Sequence, residues 1–165
     1  MARHKTALVV NSSPHEPSIT TRFCDIFANS FGPRYTTRLD LHKEPPPHSN
    51  GTYDNGNTKW QKHVIESDVL FIGTPTYWFN VPSILKAFID DLAAIDEILW
   101  EGDRSAVLAI HAPEGGEIGA VNALMPALNM LGFSLPGNGF VYYRDSGDDW
   151  AWSDLSEVAK RVRFD

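Results

Sequence analysis

Apolar residues along this chain follow two rhythms. Short, almost unbroken apolar runs alternate with longer stretches in which apolar residues return every three or four positions. The runs are Thr6-Ala-Leu-Val-Val-Asn11, Asp68-Val-Leu-Phe-Ile72 and Ser105-Ala-Val-Leu-Ala-Ile-His111, the pattern of strands covered on both faces. Tyr35 to Leu41 alternates and predicts a further strand at a sheet edge. Phe133-Ser-Leu135 and Gly139-Phe-Val-Tyr-Tyr143 predict a fifth strand, interrupted at Pro136-Gly-Asn-Gly139.

Helical spacing fills the gaps between these runs. Phe23, Ile26, Phe27 and Phe31 share one face of a first helix, stopped by Gly32-Pro33. Trp60, Val64 and Ile65 mark a short helix over 59–67. Ile84, Leu85, Phe88, Ile89 and Leu92 mark another, with Pro82 suited to its first turn. Ile118, Val121, Leu124, Met125, Leu128 and Leu131 form the next stripe, where Pro126 predicts a kink or a late start. Trp152 to Arg163 closes the chain as a helix, and His42 to Asn57, rich in Pro, Gly and Asn, predicts a long functional loop. Strands alternating with helices imply an α/β three-layer sandwich around a parallel sheet. Five strands of this size fit the flavodoxin-like order 2-1-3-4-5 in one domain spanning 1–165.

Composition narrows the partners. The 165 residues carry a net charge of -7, which argues against a nucleic-acid backbone as partner while leaving room for one local basic site. No apolar run approaches membrane-spanning length, and Ala7 to Val10 is too short for a signal peptide. The expectation is a cytoplasmic protein with no membrane partner. Cys24 is the only cysteine, so neither an intrachain disulfide nor a cysteine-rich metal cluster is available. The six histidines are scattered, and no metal site is expected.

Three loops follow the first, third and fourth strands, on the edge where open α/β sheets place ligands. In the first, Ser12, Ser13, Ser18, Ile19 and Thr20 stand at a strand end and a helix start. Free amides at the helix start and the hydroxyls suit a phosphate, although helix capping by Ser18 or Thr20 accounts for the same residues. The second holds Pro75, Thr76, Tyr77, Trp78, Phe79 and Asn80, able to wrap a flat ring or to serve as core. The third is His111-Ala112-Pro-Glu-Gly115-Gly116-Glu117, a turn whose glycines permit close backbone approach. No Gly-x-Gly-x-x-Gly or Walker lysine is present. A response-regulator reading fails because the third strand ends in Gly73-Thr74 instead of an aspartate.

The stretch Gly73-Thr-Pro-Thr-Tyr-Trp-Phe-Asn-Val-Pro-Ser-Ile-Leu-Lys-Ala-Phe-Ile-Asp90 resembles the flavin-ring loop of the flavodoxin-like NAD(P)H-dependent FMN reductases, a family that includes quinone reductases and iron-sulfur flavoproteins. It meets the pattern Gly-Thr/Ser-Pro-x-Tyr followed by Pro-x-x-Leu-Lys-x-x-Ile-Asp. The resemblance extends from Lys5 to about Phe140 but is specific only here. The Ser-Pro loop ending in Ser-x-Thr is similar to the family's phosphate motif, with Asn11 or Ser12 where a glycine is usual. The cysteine cluster of the iron-sulfur branch is missing; Pro45 to His48 stands in its place.

The resemblance implies FMN as cofactor and NADPH or NADH as co-substrate. It implies electron transfer to a quinone, a free flavin, an azo compound, a metal ion or a similar small acceptor. It further implies no catalytic acid–base triad, backbone amides over Thr76–Asn80 near the ring, and a homodimer with Trp78 or Phe79 near its contact. Two other readings stay open at this point. One is a flavodoxin-like electron carrier without its own NAD(P)H activity; the other is a fold relative that has lost flavin and serves as a binding module.

Overall fold

A computed structural model describes residues 4–46, 58–95 and 103–164. Its strands are β1 (Ala7–Asn11), β2 (Thr36–Asp40), β3 (Val69–Pro75), β4 (Arg104–His111), β5 (Phe133–Ser134) and β6 (Phe140–Tyr143). Its α-helices are α1 (Ile19–Phe31), α2 (Lys59–Ile65), α3 (Ser83–Leu92), α4 (Glu117–Met130) and α5 (Trp150–Arg161). The sheet runs β2-β1-β3-β4-β5, with β6 also on β4, and every pairing is parallel. The fifth strand is the expected interrupted one: β5 and β6 pair with the start and the end of β4.

Side-chain alternation divides the core into two layers. Leu8 and Val10, Leu70 and Ile72, and Ala106 and Leu108 face one side, where they join residues of α2, α3 and α4. Ala7 and Val9, Val69 and Phe71, and Val107 and Ala109 face the other, against α1 and α5. A strand buried on both faces has no position for a polar residue, which is why these runs are continuously apolar. Because α1 leaves β1 on one face and α3 leaves β3 on the other, the two connections part company between β1 and β3. That divergence opens a crevice at the carboxyl ends of the strands, where flavodoxin-type sheets hold their ligand.

Four details depart from the sequence pattern. β3 extends through Gly73, Thr74 and Pro75, which pair with Ala109, Ile110 and His111, so the following loop starts only at Thr76. Gly73 has a packing reason: a β-carbon there would stand 2.9 Å from Cys24 Sγ and 3.3 Å from Thr20 Cγ2. The glycine lets α1 close onto the sheet. Second, α4 continues across Pro126; Asn122 and Pro126 are both exposed, so the carbonyl that loses its donor lies on the solvent side. Third, Ile118 belongs to the expected apolar stripe but is exposed, because helix α4 has apolar residues all round. Fourth, α5 starts at Trp150 rather than at Trp152. Of the long 42–57 loop, residues 47–57 lie outside the described residues.

Candidate functional site

The first loop is shaped by hydrogen bonds at the end of β1. Asn11 donates through Nδ2 to Asp40 Oδ1 at 2.8 Å and accepts from the Ser13 amide at 3.1 Å. Ser12 directs both its amide and its hydroxyl to the Gly73 carbonyl, at 3.0 and 3.2 Å; it is buried and ties β1 to β3. The Ser13 hydroxyl engages the His15 amide and carbonyl. Ser18 caps α1 by accepting from the Thr21 amide at 3.0 Å, and its hydroxyl also bonds that of Thr21. The capping expectation therefore holds for Ser18.

Thr20 is different. It is 1 % exposed, and its hydroxyl has no hydrogen-bond partner. A buried hydroxyl without a partner is costly and calls for an explanation. Thr20, with Ser13, Ser18 and Ile19, lines a cavity of about 270 Å³ that Thr76 and His111 close from the other side. In the first turn of α1 the Ile19 and Thr20 amides precede any intrahelical acceptor. Neutral donors and a helix N-terminus thus converge on one small space, a donor set that fits a phosphate monoester.

The second loop turns sharply. Tyr77 and Asn80 form a two-residue hairpin closed by bonds of 2.8 and 3.1 Å between their main chains. Its central residues, Trp78 and Phe79, have φ of 49° and 61°, the left-handed conformation that such turns usually assign to Asn and Gly. Bulky aromatics in that region are strained. Trp78 is nevertheless 95 % exposed and Phe79 is also exposed, so local burial does not repay the conformation. The core reading of the aromatics fails for all three, since Tyr77 is exposed as well. Asn80 turns its side-chain oxygen to the Val81 amide.

Thr76 fastens this turn to the third loop. Its amide donates to the His111 carbonyl at 2.9 Å and its hydroxyl to the Gly115 carbonyl at 3.1 Å. Between them lies a second cavity, about 520 Å³, lined by Thr76, Tyr77, Trp78, Phe79, Pro113, Glu114 and Gly115. The two cavities share Thr76, Tyr77 and Pro113 as walls, so they adjoin, and together they make a groove-like surface from the α1 N-terminus to the aromatic turn. A groove of this size is ample for a flat ring joined to a phosphate.

Of the expected residues, Ser13, Ser18, Ile19, Thr20, Pro75, Thr76, Tyr77, Trp78, Phe79, His111 and Gly115 line this groove. Ser12, Asn80, Ala112 and Gly116 do not; Ser12 and Ala112 are buried behind it, and Asn80 closes its own turn on Tyr77. Ala112 is buried, with its amide on the Tyr143 carbonyl at 2.9 Å. At Gly116, with φ of 95°, the side-chain position is taken up by the aromatic turn, because a β-carbon there would stand 2.5 Å from Phe79 Cα. Sequence reasoning passed over Pro113, Glu114 and His15, which also line the groove; Pro113 and Glu114 lie inside a stretch already marked, between His111 and Gly115.

Charge around the groove is sparse. Burial lowers the His111 pKa below its ordinary value, so the ring is neutral at pH 7. Glu117, at the start of α4, is 7 % exposed. Burial pushes its carboxyl up, but its own backbone amide and the Arg144 guanidinium outweigh that and hold it below the usual carboxylate range. Burial drives the Cys24 thiol far above its ordinary value despite nearby Arg38, so Cys24 is an inert packing residue. Among the described residues no group of three acidic, histidine or cysteine side chains could hold a metal, and no helix is long and apolar enough to cross a membrane.

The sheet order and the switch-point groove define a flavodoxin-like α/β protein. Within that class the chain belongs to the NADPH-dependent FMN reductase family, whose model matches residues 6–147. Members of that family are flavoprotein oxidoreductases that work with FMN and a nicotinamide nucleotide. An FMN-dependent NADH:quinone oxidoreductase from Kineococcus radiotolerans is 26 % identical over 110 residues, 53 % of this chain and 50 % of the relative. The chain thus spans about half the length of the curated relative it matches. Among solved structures, an azoreductase from Bacillus anthracis superposes with a TM-score of 0.74 at 16 % identity, covering 95 % of this chain and 99 % of the other. A flavodoxin from the domain Archaea gives 0.66 at 12 %, covering 96 % of each. At these identities the structural likenesses speak for the fold.

Proposed function

We propose that this protein is an FMN-dependent oxidoreductase that takes electrons from NADPH or NADH and passes them to a small acceptor of the quinone or azo type. The observation that carries the reading is the Thr20 hydroxyl, buried without a partner at the phosphate end of a groove that continues to an aromatic turn. A folded chain tolerates such a loss when a ligand restores the bond.

In this reading the Thr20 hydroxyl and the first amides of α1 hold the phosphate. Thr76, Tyr77 and Gly115 form the walls on which the ring lies, and the main chain around Thr76 supplies its polar neighbours. FMN, when bound, supplies the chemistry by accepting hydride from the nicotinamide and releasing electrons to the acceptor. The protein contributes orientation and a partly dry surface. His111, kept neutral by burial, adds no charge at the phosphate.

The exposed turn supports a homodimer. Residues 118–130, nearly the whole of α4, contain no charged side chain. Ile118 and Met130 are exposed on that helix, as Trp78 and Phe79 are on the adjacent turn. On a chain of net charge -7 an uncharged surface suits a second copy, with Trp78 or Phe79 closing the groove from across the contact. A single buried thiol and a reduced-nucleotide donor suit the cytoplasm. The double variant Ser18→Ala/Thr20→Ala tests the phosphate assignment: FMN affinity falls if these residues hold it, and unchanged affinity places the phosphate elsewhere.

A further inference from the structure

The seat on which the aromatic turn rests is made by two glycines of the next loop and helix. A β-carbon at Gly116 would stand 2.5 Å from Phe79 Cα and 2.8 Å from Phe79 C, and one at Gly119 would stand 2.3 Å from Phe79 O. The obstructing atoms are backbone, so no side-chain rotation relieves them. Gly119 lies in the first turn of α4 with ordinary helical backbone. Its lack of a side chain therefore has no local conformational cause, and a glycine there weakens the helix relative to alanine. The close approach of Phe79 is what the position accommodates.

We infer that Gly119 is a positioning residue for the flavin site: it fixes the Trp78–Phe79 turn at the depth that shapes the ring end of the groove. Two observations converge on this. The turn is held in a left-handed conformation at both central residues, so it persists only where its surroundings over-determine it. Those surroundings are the Tyr77–Asn80 bridge, the Thr76 bonds to His111 and Gly115, and the glycine seat. Of these, only the seat acts on Phe79 directly. Phe79 and Trp78 in turn line the cavity of about 520 Å³. To admit a methyl group at residue 119, the Phe79 carbonyl must retreat by about 1 Å before contact becomes ordinary. That motion carries the turn outward and widens the groove.

The inference rests on the FMN reading above, and the test separates the two. The full-length protein and Gly119→Ala are titrated with FMN, following quenching of flavin fluorescence, after circular dichroism and thermal melts of both apoproteins. Failure of the unsubstituted protein to bind FMN overturns the FMN reading itself. Binding by the unsubstituted protein with about tenfold weaker binding by a folded Gly119→Ala is the expected result, the helix gain from alanine offsetting part of the cost of the contact in the melt. Equal affinities overturn the inference. If Gly119→Ala does not fold, the same titration compares Phe79→Gly with Phe79→Gly/Gly119→Ala, in which the glycine backbone at 79 yields to the added methyl group. Weaker binding by the double variant upholds the positioning role, and equal binding overturns it.

Discussion

The hydroxyl of Thr76 donates to the carbonyl of Gly115 at 3.1 Å, joining the loop after β3 to the loop after β4 across the floor of the groove. The Thr76 amide strengthens the same link through the His111 carbonyl at 2.9 Å. Thr76→Val keeps the amide and the shape but removes the hydroxyl. A single hydrogen bond of this kind contributes about 1 kcal/mol. The expected outcome is a thermal midpoint a few degrees lower and FMN affinity reduced several-fold, read by melts and by flavin-fluorescence titration.

Thr20 predicts the opposite balance. Its hydroxyl is buried and unpartnered, so Thr20→Val removes a polar group that the apoprotein does not use. Apoprotein stability should rise by about 1 kcal/mol, while FMN affinity should fall by tenfold or more. Denaturant unfolding of the apoprotein and FMN titration check the two halves separately. A stability gain paired with lost binding is the mark of a residue kept for its ligand.

Glu117 makes stability depend on pH. Its carboxyl is held below the ordinary range by its own amide and by Arg144, against the push of burial. A folded-state pKa below the unfolded one adds stability that is present above the ordinary carboxyl value of about 4.3 and lost as pH falls through the lowered value. Arg144→Gln withdraws the guanidinium and leaves the carboxylate buried. Thermal midpoints should therefore be lower in Arg144→Gln than in the unsubstituted protein at neutral pH, and the two should converge as pH falls below about 4.3, because the variant has less of this stabilisation to lose.

Much of this architecture was legible in the pattern of residues. A strand such as Leu8–Val10 or Leu70–Ile72 is apolar on both faces because helices cover both, and that constraint writes itself into consecutive positions. The residues lining the groove were legible as segments, since Ser18 to Thr20 and Pro75 to Phe79 are unusual for the corners they occupy. The roles within those segments were not. Ser12 and Ser13 carry the same hydroxyl, yet Ser12 spends its donors on Gly73 and Ser13 on His15. Only register and depth separate them from Thr20. Gly119 looked like ordinary helix, because its reason lies in Phe79, far earlier in the chain and brought close only by packing.

The turn itself invites a stabilising replacement. Trp78 and Phe79 hold positive φ at a cost of about 1 kcal/mol or more each. Trp78→Asn/Phe79→Gly supplies the residues such a turn prefers. The apoprotein should melt higher, while the lost aromatic surface should weaken FMN binding and self-association. Thermal melts, FMN titration and sedimentation of the double variant read these three effects.

The most direct test of the proposed activity is the visible spectrum of protein reconstituted with FMN, desalted, and mixed anaerobically with NADPH and separately with NADH. The expected result is retained flavin absorbance that bleaches rapidly with at least one nucleotide. Retained flavin that neither nucleotide bleaches contradicts the reductase and favours an electron carrier. Flavin lost on desalting, with no binding in titration, contradicts the site.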